Sequence, residues 1–168
     1  LAQLHTVARL PEIRELRFAS VFFGGGTPSL LPAGMLASLL HACTAALNCA
    51  ADGEISVEVN PGTIGAPALL ALRKAGFNRL SVGVQSFCDA ELRRLGRIHS
   101  AAEAGKAVAM ARAAGFANIS LDLMYGLPGQ RAADWQHSLE AALALEPQHL
   151  ALYELTPEAG TPLAAALE

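Results

Sequence analysis

The stretch "KAGFNRLSVGVQ", residues 74–85, closes one structural unit and opens the next. Lys74 and Ala75 end a helical pattern. Gly76 follows the last turn, where a glycine readily takes the left-handed backbone that stops a helix. Residues 79–85 then form a short apolar run of strand type. The same order returns at 112–126, "RAAGFANISLDLMYG", with Gly115 in the place of Gly76. Two endings so alike read as successive βα units of one architecture.

Working outward from that pair, apolar runs recur at 18–24, 55–60, 79–85, 119–126 and 149–155. Periodicity predicts helices over 33–48, 66–75, 101–114 and 132–145. Strand alternating with helix predicts an α/β fold with a parallel sheet and helices outside it. Two architectures satisfy this: an open doubly wound sheet, or part of a β/α barrel. No linker, low-complexity tract or second domain interrupts residues 1–168, which read as one domain with a sizeable core.

Composition narrows the function classes. Apolar residues make up 52% of the chain, charged residues 16% and aromatics 5%, so the core is built mainly from Ala, Leu and Val. A net charge of −3 without a basic run argues against a nucleic-acid or anionic-membrane surface. No apolar run reaches the length of a membrane span. The first ten residues carry His5 and Arg9 and lack the apolar stretch of a secretory leader. Cys43, Cys49 and Cys88 are an odd, scattered set that fits cytoplasmic thiols better than a disulfide framework. The chain opens on Leu1 and closes on "TPLAAALE" without a stop signal, as a segment of a longer protein would.

In parallel β/α folds, ligands gather where the strands end. There the sequence places Gly24-Gly25-Gly26-Thr27, Glu58 with Asn60-Pro61-Gly62-Thr63, Gln85-Ser86, Asp122 with "YGLPGQ" (125–130), and Tyr153-Glu154 with "TPEAGTP" (156–162). Every strand delivers a hydrogen-bonding group to one rim. The glycine triplet reads as a tight turn, as an amide cradle for an anion, or as a place of close approach to main chain. It has neither P-loop nor G-x-G-x-x-G spacing. Thr27-Pro28-Ser29 reads as the opening of a helix. Glu58 and Asp122 lie inside apolar strands, where an unpaired carboxylate costs several kcal/mol. They either pair with Arg79 or Arg97 or serve a ligand. Gln85 holds a loop or meets a ligand, and "GLPGQ" is a turn by composition. His41, His137 and His149 read as helix-face or strand-entry residues. Cys43 and Cys49 make no metal-ligand pair, and Met110 and Met124 read as core.

Six ordered blocks, "FFGGGTPSLL", "VEVNPGT", "NRLSVGVQSF", "LGRIHSAAEA", "DLMYGLPGQ" and "YELTPEAGTPL", resemble the radical S-adenosylmethionine (SAM) family of oxygen-independent coproporphyrinogen III oxidases and their HemW relatives. The resemblance runs from about Ser20 to Leu163. "NPGT", "LGRIH" and "EAGTP" look like the HemW branch, regarded as haem chaperones that bind haem and pass it to acceptor proteins. The oxidase branch, which decarboxylates coproporphyrinogen, is the alternative. A third reading, independent of the resemblance, is a β/α-barrel metabolic enzyme whose Gly-Gly-Gly-Thr loop grips a phosphate.

The resemblance implies an incomplete (β/α)6, TIM-like barrel. It implies that backbone groups at Gly25 and Gly26, with Thr27, contact the amino and carboxylate groups of SAM. Glu58 and Gln85 would line its pocket, and Arg97 would meet a carboxylate with its bidentate fork. Asp122 would accept from the ribose hydroxyls, while Gly126, Leu127 and Pro128 would shape the adenine-side loop. The family's C-x-x-x-C-x-x-C motif, which holds a [4Fe–4S] cluster, has no counterpart in this sequence. Family order places it ahead of Leu1 together with the first barrel strand, leaving strands two to six here and no metal ligand. Haem is the further cofactor implied; Tyr153 and His99 are conceivable ligands that nothing singles out. Alone, the segment is expected to expose a sheet edge and aggregate.

Overall fold

A computed structural model describes residues 1–158 and Gly160. The end of the last resemblance block, in Ala159 and 161–163, and the rest of the C-terminal stretch lie outside the described residues. Two short helices, α1 (Ala2–Val7) and α2 (Pro11–Arg14), precede β1 (Phe18–Phe23). There follow α3 (Ala33–Ala46), β2 (Cys49–Val59), α4 (Ala66–Ala75), β3 (Arg79–Gln85), α5 (Asp89–Arg94), α6 (Ala101–Ala113), β4 (Asn118–Tyr125), α7 (Ala132–Ala144) and β5 (His149–Glu154).

All four strand pairings are parallel, and the sheet order is β1-β2-β3-β4-β5. That order decides between the two architectures. A doubly wound sheet reverses direction at a switch point and carries helices on both faces. Here the sheet advances one way throughout, as a barrel wall does. The result is half a TIM-like barrel, with helices outside and an open concave face.

Side chains of a strand alternate between faces. Val57 and Val59, Leu80, Val82 and Val84, and Ile119, Leu121 and Leu123 join the buried core on the helix side. The alternate positions, Ser56 and Glu58, Ser81, Gly83 and Gln85, and Ser120, Asp122 and Met124, stand on the concave side. Leu36 and Leu40 of α3, Leu69 and Leu72 of α4, and Ala104, Val108 and Ala111 of α6 complete the core. The alanines on α6 remove bulk where that helix lies on the sheet.

The paired "AGF" endings build one helix stop twice. Gly76 (φ +110°) donates its N–H to the Arg73 carbonyl, and Phe77 donates to that of Leu72. Gly115 (φ +93°) and Phe116 repeat this with Arg112 and Ala111. This is the Schellman arrangement, in which the residue after the glycine returns its side chain to the core. Phe77 and Phe116 are accordingly buried, and Phe77 packs edge-on against Phe23, ring centres 5.2 Å apart.

The structure corrects several local expectations. The helix expected to 48 ends at Ala46, and β2 starts at Cys49 rather than 55. Pairing with β1 accounts for the early start: Phe18 lies opposite Cys49 and donates its N–H to the Asn48 carbonyl at 2.9 Å. Further along the strand the Asn78 side chain accepts from Ile55 N at 2.7 Å and donates to the Gly53 carbonyl at 2.9 Å, tying β2 to the entry of β3. Pro28–Leu30 forms a single 3-10 turn rather than the first turn of a helix, and α3 begins only after Pro32. α2 and α5, both short, lie outside the helices predicted from periodicity. Among the described residues no helix is long and apolar enough to cross a membrane.

Candidate functional site

At the C-terminal ends of the strands, a cleft of about 320 Å³ is lined by Gly26, Thr27, Glu58, Asn60, Ser81, Gly83, Gln85, Arg97, Asp122, Met124 and Tyr153 among others. Six of the seven residues chosen from sequence meet here. Gly25 does not line the cleft. Its N–H donates to Glu58 Oε2 at 2.9 Å, and it borders an apolar pocket under α3 instead.

The three glycines exist for two different reasons. A Cβ on Gly24 would lie 2.4 Å from the Phe22 ring and 3.0 Å from Glu58 Oε1. Gly25 (φ +88°) and Gly26 (φ +61°) have open space beside them but need left-handed backbone, which glycine adopts without strain. The loop therefore folds back over β2, and the Glu58 carboxylate holds it there.

Neither cleft carboxylate forms the arginine pair weighed from sequence. Arg79 lies 3.6 Å from Glu54 instead. Asp122 accepts from Ser81 Oγ at 2.9 and 3.2 Å. Burial pushes the Asp122 carboxyl above its ordinary range, the Ser81 hydrogen bond lowers it by less, and Glu58 raises it further. Arg97 donates to Asn60 Oδ1 at 3.4 Å, and among the described residues no carboxylate stands within ion-pair distance of it. Burial lowers its pKa, while the charge of Asp122 pulls the other way. Backbone geometry delivers Arg97 to the cleft. α5 ends in a third Schellman stop at Gly96 (φ +66°), with Arg97 N donating to the Leu92 carbonyl at 2.9 Å.

Gln85 is held under strain. Ser86 N donates to the Val84 carbonyl at 3.0 Å, closing a three-residue turn whose centre, Gln85, has φ +70°. This is the rare, strained form of the γ-turn, and such strain gathers at functional sites. The register with β4 shifts at the same point. Gln85 is only 8% exposed and its Oε1 has no hydrogen-bond partner. A buried acceptor left without a donor costs about 1–3 kcal/mol, a cost that a bound ligand can remove.

One supporting residue, Glu91, escaped the sequence reading, and a second, Asn60, was placed at the rim without its partners. Glu91, 2% exposed, accepts from Ser86 Oγ at 2.5 Å and from Gln130 Nε2 at 3.2 Å. Gln130 in turn accepts from Gly126 N at 2.9 Å, so one carboxylate links the loops after β3 and β4. Asn60 joins the glycine loop to Arg97 through Thr27 Oγ1 at 3.2 Å. Met124, expected in the core, lines the cleft, as does Tyr153. His99 is buried and its Nε2–H donates to the Val84 carbonyl at 3.1 Å. Burial depresses its pKa more than that bond raises it. His149 meets Ser120 Oγ at 2.9 Å below the cleft.

The donor set fits S-adenosylmethionine. The cleft offers two carboxylates, a guanidinium without a carboxylate partner among the described residues, and a buried carbonyl without a donor, groups complementary in kind to a ligand that carries cationic groups, a diol and a carboxylate. It does not fit an iron–sulfur cluster. Among the described residues no three His, Cys, Asp or Glu converge on a metal-sized point, and Cys43, Cys49 and Cys88 are all free.

Comparison with known proteins shows the family. The sequence pattern of the radical SAM superfamily matches residues 6–142, and the chain belongs to that superfamily. Within it, the chain is 46% identical over 148 residues to the heme chaperone HemW of Escherichia coli, covering 88% of this chain and 39% of that protein. It is 43% identical over its whole length to mouse radical S-adenosyl methionine domain-containing protein 1, mitochondrial, of which it covers 38%. The structure of E. coli coproporphyrinogen III oxidase HemN, described as a radical SAM enzyme, superposes with a TM-score of 0.80 at 32% identity, over 92% of this chain and 36% of that one. The chain thus spans about two fifths of the length of the curated relatives it matches.

Proposed function

We propose that this chain is the SAM-binding part of a HemW-type haem chaperone that acts in the cytoplasm, binds haem and delivers it to acceptor proteins. The observation that carries the SAM assignment is the cleft itself. It gathers Arg97, Glu58, Asp122 and the orphaned Gln85 carbonyl around one space. The HemW part of the reading rests on the identity to proteins of that name.

Each residue then has a task. Glu58 fixes the glycine loop through Gly25 N and leaves its other oxygen for the ligand ammonium. Gly26 and Thr27 offer main chain and hydroxyl beside it. Arg97 takes the carboxylate, Gln85 accepts from a ligand donor, and Asp122 accepts from the ribose diol, preorganised by Ser81. Bound near a reduced cluster, SAM supplies one-electron chemistry. The thiolates for that cluster would come from residues outside this chain, as the partial-barrel reading of residues 1–168 requires.

Carboxylate hydrogen bonds contribute about 1.5–3 kcal/mol, so Glu58→Ala and Asp122→Ala each weaken SAM binding about tenfold or more in the full-length protein. Equilibrium dialysis measures this, and unchanged affinity in both variants favours the phosphate-gripping rival. A second reading, coproporphyrinogen dehydrogenase, is favoured by the 0.80 TM-score to HemN. Anaerobic incubation with SAM and coproporphyrinogen separates the two. Catalytic formation of protoporphyrinogen defeats the chaperone, whereas haem transfer to an apo-haemoprotein without turnover supports it.

A further inference from the structure

The pairing of β3 with β4 passes from Gly83 opposite Asp122 directly to Gln85 opposite Leu123, a bulge that sets Val84 aside. Bulges beside ligand sites re-aim a side chain, here that of Gln85. Both lone pairs of the Val84 carbonyl are taken. Ser86 N donates at 3.0 Å from within the turn, and His99 Nε2 donates at 3.1 Å from outside it. A carbonyl only accepts, so Nε2 carries the proton, and burial favours the neutral ring. His99 is 4% exposed, and the loop that brings it is fixed on either side. Arg97 N donates to the Leu92 carbonyl at 2.9 Å, and Ala101 N donates to Asp89 Oδ1 at 2.8 Å. Ser100 and Glu103 close a capping box at the start of α6. From the β2–α4 side, a Cβ on Gly62 would touch His99 Cβ at 3.7 Å. The imidazole is a held prop.

We propose that His99 is a positioning residue of the cleft: its Nε2–H holds the Val84 carbonyl, and through it the strained turn that presents Gln85 to the ligand. Backbone such as that of Gln85, at φ +70°, persists only where its surroundings over-determine it. The bond from Ser86 closes the turn but does not say where it sits. The bond from His99 does, because it comes from a different loop. Were the bulge to relax into regular strand, Gln85 would move on by about 3.3 Å, more than a hydrogen bond to a ligand tolerates. Arg97 enters the cleft from the same loop, two residues earlier. One short segment thus sets a donor and an acceptor of the site together. The inference rests on the reading that this cleft takes SAM and that Gln85 meets it.

The test uses the full-length protein. His99→Leu fills the space of the ring without its donor and weakens SAM binding about fivefold or more. His99→Gln restores an N–H donor and returns the affinity to within about twofold of wild type. In a Gln85→Ala background, His99→Leu adds less than about a twofold loss, because the side chain it positions is gone. A merely structural histidine would instead add its loss in full there. Nitrogen-15 spectra of the histidine-labelled wild-type protein show the His99 proton on Nε2, a readout that needs neither a variant nor SAM. Should His99→Leu fail to fold, these spectra and His99→Gln decide. Wild-type affinity in His99→Leu, equal losses in the Leu and Gln variants, full additivity with Gln85→Ala, or a proton on Nδ1 instead of Nε2 overturns the role of His99. Failure of the wild-type protein to bind SAM overturns the SAM reading itself, and the spectra then judge the bond to Val84 separately.

Discussion

Asp122 stands where function and stability pull apart. Burial raises its pKa above the ordinary 3.8, more than the Ser81 hydrogen bond lowers it. A carboxyl raised on folding favours the native state when protonated, so its contribution is full below 3.8 and is lost as pH rises through the higher folded value. At neutral pH the ionised group therefore strains the fold. Asp122→Asn keeps an acceptor for Ser81 and removes the charge. It is expected to raise the melting temperature at pH 7, with the gain shrinking to nothing below 3.8, while weakening SAM binding. Thermal melts at several pH values read this directly, and a variant no more stable than wild type at pH 7 contradicts it. Glu58 and Asp122 were legible because a carboxylate inside an apolar strand is conspicuous. Glu91 was not, since its partners lie 5 and 39 residues away and its helix has only six residues.

At the scale of elements, three helices end in one design, at Gly76, Gly96 and Gly115, all with positive φ. Only the stop at Gly96 is followed by a cleft residue, Arg97. A side chain in such a backbone conformation costs about 1 kcal/mol, so Gly96→Ala and Gly115→Ala lose similar stability in urea titrations. Their effect on SAM affinity differs: Gly96→Ala moves the Arg97 fork and weakens binding, while Gly115→Ala leaves it near wild type. Equal affinity in both variants contradicts this division of labour. The Gly76 and Gly115 stops were plain in sequence because long periodic helices precede them. "RRLGR" carries the same signal after too few residues for periodicity to register. Arg97 was weighed from sequence as a partner for the strand carboxylates, and its ligand role came only through the resemblance; Asn60 was visible at the rim without its partners, because hydrogen bonds across 33 and 37 residues leave no local trace.

Across the whole molecule, parallel βα alternation was readable from apolar runs, but it left two architectures open. The pairing order that chose between them is long-range information carried by the sheet register. β1 and β5 are the sheet edges, and Phe22, Leu152 and Tyr153 on them are about half exposed. Unpaired strand edges beside apolar side chains template association. Expressed alone, this chain is expected to self-associate in sedimentation velocity, and a monomer across the accessible concentration range contradicts that. The unbroken sequence of neighbours in the sheet has one more consequence. Since each strand docks against the one translated just before it, the wall can be laid down progressively as the polypeptide leaves the ribosome, every new unit finding its template already in place.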